Sequence, residues 1–125
     1  MRFYGEIFEL GPIEREPGMA FIEMGDQFLA LSVGRGGAPD RDRHFGLVVD
    51  DKPRAREALE RAGVEIAPGP RLNFRDPWGN LVQIVDYREI QFIKAPAVLG
   101  SMGFAELRKT PAAAGELREK GIAPS

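Results

Sequence analysis

The 125-residue chain contains no cysteine. Disulfides, thiolate metal sites and cysteine nucleophiles are thereby excluded, and a bound metal would have to be held through nitrogen or oxygen. Histidine is nearly as scarce, with His44 the one example. No apolar run approaches the ~20 residues that cross a bilayer. The opening MRFYGEIFEL lacks the basic-then-apolar order of a secretory signal, so a cytoplasmic location is the default expectation and no membrane partner is expected. Neither sign of charge dominates: 17 basic residues face 19 acidic ones, for a net charge of −2. The two signs interleave, as in RAREALER and ELREK, so no basic stripe exists to track a phosphate backbone, and nucleic acid is not an expected partner. The glycines of SVGRGGAPD do not sit between a strand and a helix in a phosphate-cradling arrangement, and that stretch reads as a connector.

With 43% hydrophobic and 29% charged residues, the chain is long enough to bury a core, and residues 1–125 read as a single domain. Two apolar runs around Gly25-Asp26 predict a hairpin with strands near 18–24 and 27–33. RHFGLVVDD predicts a strand in which Phe45, Leu47 and Val49 face one way and His44, Gly46 and Val48 the other. A helix follows, capped by Asp51, with Pro53 in its first turn; Ala55, Ala58, Leu59 and Ala62 recur at helical spacing before Gly63. RLNF, the turn RDPWGN and LVQIVDY complete a strand–helix–strand–strand unit, with Leu81, Gln83, Val85 and Tyr87 on one face of the last strand. Asp76-Pro77 and Gly79-Asn80 carry turn chemistry. Trp78 in that turn is expected to be exposed or to cap a partner surface. Glu23 is a candidate buried carboxylate or an edge residue.

Strand, Gly-Asp or Gly-Asn turn, and second apolar strand occur at 19–33 and again at 72–87, which predicts an internal repeat. On that reading residues 1–40 are a partial first unit, in which RFYGEIFELG is the tail of a helix and the opening strand is missing. Residues 43–87 are the second unit. Residues 88–125 form a helical extension, with IQFIK as a short edge strand, weak helix in APAVLGSMGFAELRK, and a final helix from Thr110-Pro111 to Gly121.

Taken in order, RHFGLVVDD, AREALERAGVEI and FRDPWGNLVQIVDY resemble the second module of the vicinal oxygen chelate superfamily, the group of glyoxalases, bleomycin resistance proteins and extradiol dioxygenases. The resemblance spans residues 3–87 and is strongest over 43–87. It implies an α+β fold in which paired βαβββ modules form a curved mixed sheet, a glyoxalase-like cup. It also implies a divalent metal (Zn, Fe, Mn or Ni) chelating two adjacent substrate oxygens, as in a lyase or dioxygenase. His44 matches the metal-ligand position that opens the second module. Gln83 stands where the family supplies a glutamate, and its neutral amide is a weaker donor than a carboxylate. The matching place in the first module is Ala30, which cannot ligate. Two donors fall short of the roughly three or four protein ligands usual for such a site, so the alternative expectation is a metal-free protein that binds or sequesters a small molecule, as bleomycin resistance proteins do. Arg75 and Tyr87, bordering the cup mouth, are the candidate substrate-binding residues. An open sheet edge predicts a homodimer.

Overall fold

The computed structural model describes residues 2–34, 36–38, 40 and 42–122. Its elements run α1 (Arg2–Ile7), β1 (Ile13–Glu16), β2 (Met19–Glu23), β3 (Phe28–Ser32), β4 (His44–Val49), α2 (Lys52–Arg61), β5 (Leu72–Arg75), β6 (Leu81–Asp86), α3 (Pro96–Ser101) and α4 (Pro111–Glu119). The fold is α+β. None of these helices is long and apolar enough to cross a membrane.

The strands form two three-stranded sheets. One is antiparallel, in the order β1-β2-β3; the other is mixed, in the order β4-β6-β5, with β4 parallel and β5 antiparallel to β6. A repeat is visible in the connections. In the second half α2 leads to an isolated bridge between Ile66 and Phe74, then to β5 and β6. In the first half α1 leads to β1, β2 and β3. The side of β6 occupied by β4 corresponds to a side of β3 on which, among the described residues, no strand is paired.

Local chemistry explains the boundaries. The Asp51 carboxylate accepts the Arg54 N–H at 3.0 Å and caps α2, while Gly63, at φ 69°, lets the Val64 N–H reach back to the Leu59 carbonyl and close it. Between β2 and β3, Gly25 takes φ 81° and the Met24 N–H meets the Gln27 carbonyl at 2.8 Å, the tight hairpin expected of Gly-Asp. Thr110 caps α4 through the Ala113 N–H.

Two elements differ from expectation. β1 forms although IERE holds one apolar residue, because β2 supplies a complete ladder from Ile13 opposite Ile22 to Glu16 opposite Met19. IQFIK forms no strand. There the Lys94 N–H bonds the Tyr87 hydroxyl instead of a neighbouring backbone, and Phe92 stays 77% exposed.

The main core lies on one face of the β4-β6-β5 sheet, where Leu47, Leu72, Phe74, Val82 and Ile84 meet Ala55 and Leu59 of α2. Helix α1 joins the same core through Tyr4 and Ile7, with Phe3 and Phe8 against the Phe74 ring at 6.2 and 6.4 Å. The opposite face of that sheet is left for other uses.

Candidate functional site

That second face is read off the register. On β4, Phe45, Leu47 and Val49 turn toward the core, so His44, Gly46 and Val48 turn away and are exposed. On β6, Val82 and Ile84 are buried while Leu81, Gln83 and Val85 lie on the same side as His44. Gln83 is paired with Gly46, and His44 sits two residues before that glycine. His44 and Gln83 therefore share one face of adjacent strands, on a diagonal, with a glycine between them that contributes no side chain.

Across β6, Gln83 is opposite Asn73 of β5. The Asn73 side-chain oxygen is buried and has no hydrogen-bond partner among the described residues. Sequence reasoning passed over this residue. The available signal was a polar side chain alternating with the two apolar ones of LNF, which puts it on the face of Gln83.

Beyond Val48 the same face opens into a hollow of about 170 Å³. Its walls are Met24 of the hairpin end, Gly46 and Val48 of β4, Tyr87, Ile93 with its neighbours in the coil after β6, and Met102 after α3. Tyr87 is 6% exposed; its hydroxyl accepts from the Lys94 N–H at 3.1 Å. Lys94 in turn pairs with Asp26 across the hollow's rim, a contact that holds the Asp26 carboxyl below its usual range. A smaller apolar cleft, lined by Val49, Leu99, Phe104 and Leu107, shares Val48, Tyr87, Lys94 and Met102 with it. The C-terminal segment is thus a wall of the hollow.

Lys109 secures that wall. Its ammonium lies 3.6 Å from the centre of the Tyr87 ring and donates to the Tyr87 and Ile90 carbonyls. Burial pushes its pKa down to about 8. The Thr110 N–H adds a bond to the Arg88 carbonyl at 2.9 Å.

Arg75 is exposed and donates to the Gly79 carbonyl at 2.7 Å and the Asp40 carbonyl at 3.1 Å, which ties it to the turn after β5. Asp76 is a turn clasp: its carboxylate accepts the Trp78 and Asn80 backbone N–H groups, the Asn80 amide and, at 2.7 Å, the Tyr4 hydroxyl from α1. Burial, then that bond and the carboxylate's charge, push the Tyr4 phenol upward, so it stays protonated. Trp78 is 61% exposed, and Glu23 is exposed rather than buried. The other buried carboxylate, Asp86, meets Arg88 Nη2 at 2.6 Å and also accepts the Arg88 and Lys52 N–H groups. Burial raises its pKa, but the Arg88 pair and these bonds outweigh burial and leave it lowered.

A resident divalent metal does not fit this donor set. His44 and Gln83 offer one imidazole and one neutral amide, and among the described residues no three His, Asp or Glu side chains converge. Ala30, on β3, adds nothing, and Asp76 and Asp86 are consumed by the bonds just described.

No family model matches the chain, and no curated protein matches it. Solved structures do. A glyoxalase family protein from Bacillus anthracis matches with a TM-score of 0.57 at 22% identity, over 67% of this chain and 78% of that one. Lactoylglutathione lyase from Agrobacterium tumefaciens matches at 0.51 and 24%, over 68% and 81%. The fosfomycin resistance protein FosX from Listeria monocytogenes matches at 0.56 and 15%, over 66% and 76%. The architecture of this chain, two sheets with the repeat described above, is accordingly the glyoxalase-like fold of these structures.

Proposed function

We propose that the chain binds a small oxygen-bearing molecule on the exposed face of the β4-β6-β5 sheet without needing a metal. The observation that carries this reading is the continuity of the face. A polar row, His44, Gln83 and Asn73, leads over the side-chain-free Gly46 into the 170 Å³ apolar hollow. Drug-sized ligands occupy roughly 300–1,000 Å³, so the occupant is smaller. Its apolar part lies against Val48, Met102 and the Tyr87 ring. Its oxygen functions meet His44 and Gln83 on that face. Tyr87 acts as wall and Arg75 guides an anionic group from the turn side.

A metal-dependent lyase or dioxygenase is the second reading, its lyase form favoured by the name of the similar lactoylglutathione lyase structure. It requires His44 and Gln83 to be completed by donors from outside the described residues. Calorimetry separates the two. Fosfomycin is the first probe, titrated in EDTA into wild type and Gly46→Leu. An added Cβ at Gly46 makes only ordinary contacts, the nearest at 3.5 Å to Val85, so the fold tolerates the change while the leucine fills the hollow. Binding in EDTA that Gly46→Leu abolishes supports the proposal. Stoichiometric Zn²⁺, Ni²⁺ or Mn²⁺ binding that His44→Ala abolishes supports the second reading instead.

A further inference from the structure

The four outer strand edges of the two sheets differ in how they are protected. β5 is covered by the Ile66 bridge and by the bond from the Ala67 N–H to the Asn73 carbonyl. β1 carries Glu14, Arg15 and Glu16, charges of the kind that keep an edge from pairing. β4 lines the hollow through Gly46 and Val48. Among the described residues β3 has neither cover nor charge: from Gln27 to Gly34 no side chain is ionised.

The register gives the polarity of that edge. The Val33 N–H bonds the Gly18 carbonyl, and the Met24 N–H bonds the Gln27 carbonyl, both in line with the β2–β3 ladder. By alternation Leu29 and Leu31 direct their backbone groups to β2. Phe28, Ala30 and Ser32 direct theirs outward, where no described backbone group meets them. Beside the edge lies an apolar patch. Phe28 is 66% exposed and stacks edge-on against Phe21 at 5.8 Å, and Met19, opposite Ser32, is 39% exposed. Rows of unpaired donors and acceptors at two-residue spacing fit an extended strand and little else.

We propose that β3 pairs antiparallel with β3 of a second copy about a two-fold axis centred on Ala30, joining the two β1-β2-β3 sheets into one. The geometry is self-complementary. Ala30 meets its own image and Phe28 meets Ser32, so every outward N–H finds an outward carbonyl. Charge is self-complementary too, since this neutral edge brings no like charges together, whereas pairing β1 with itself would set glutamates near glutamates. The Phe28 ring of each copy covers the Ala30 and Ser32 of the other, adding apolar area to the ladder on the way to the ~800 Å² per partner of a standard interface.

Sedimentation velocity from micromolar to sub-millimolar protein reads the association, and hydrogen exchange on the wild type reads the edge. The expected result is a dimer whose formation slows exchange at Phe28, Ala30 and Ser32, while Leu29 and Leu31 are protected at every concentration. Ala30→Lys, with its side chain on the exposed face, raises the dimer dissociation constant at least about tenfold; Glu14→Lys on β1 leaves it unchanged. A monomer throughout the range overturns the proposal, as does a dimer that protects His44, Gly46 and Val48 instead. Because the exchange experiment needs no variant, poor folding of Ala30→Lys leaves the test intact.

Discussion

Asp86 and Lys109, both held by contacts around the end of β6, make stability rise with pH in two separate windows. The Asp86 carboxyl is lowered in the folded chain, so its stabilising contribution is complete above its unfolded value, near 4, and is lost as pH falls through the folded value. Denaturation followed from pH 6 to pH 2 should show that loss, and Asp86→Asn should be less stable at neutral pH yet flatter in acid. Lys109 is lowered to about 8 from an unfolded value near 10.5. Between those values the unfolded chain binds more protons, so stability rises with pH. A rise from pH 8 to pH 10 in wild type that is absent in Lys109→Met would bear this out; parallel curves would contradict it. Leu59, fully buried in the core of α2, is a simpler case: Leu59→Ala should cost about 2–5 kcal/mol by chemical denaturation. None of the long-range contacts at this scale was legible beforehand. Tyr4 reaches Asp76 across 72 residues, and nothing local in RFYGEIFELG or RDPWGN announces the pair.

Elements whose limits rest on local chemistry were readable, and those that depend on a neighbour were not. Asp51, Pro53 and Gly63 set α2, and Gly25-Asp26 sets the β2–β3 hairpin, because caps and tight turns are decided within a few residues. β1 escaped notice since a single apolar residue in IERE gives no alternation, and its strand conformation is imposed by β2. IQFIK misled in the other direction. Its apolar residues serve the wall of the hollow, and the Tyr87 hydroxyl takes the Lys94 N–H that a ladder would have used. The hairpin also docks the C-terminal segment: an added Cβ at Gly25 would collide with Met102 Sδ, besides being strained at φ 81°. Gly25→Ala should therefore loosen α3 from the hairpin, seen as faster hydrogen exchange at Leu99 and Met102; unchanged exchange there would show that the docking does not depend on this glycine.

For the whole molecule, the resemblance carried by His44, the α2 helix and RDPWGNLVQIVDY led to the right fold, and the match to glyoxalase-like structures follows from the same order of elements. The site was less legible. Strand alternation was enough to put His44 and Gln83 on one face, but the hollow exists only because the coil after β6 and the end of α3 fold back over Gly46 and Val48. No spacing within the chain encodes that return. The proposed binding by shape and hydrogen bonds rests on that hollow and on a donor pair of one imidazole and one neutral amide. The most direct test is a ¹H-¹⁵N correlation titration of the wild type with fosfomycin in EDTA. The account predicts shifts concentrated at Gly46, Val48, Tyr87, Lys94 and the Gln83 side-chain amide. Silence at those positions until a divalent metal is added would contradict it.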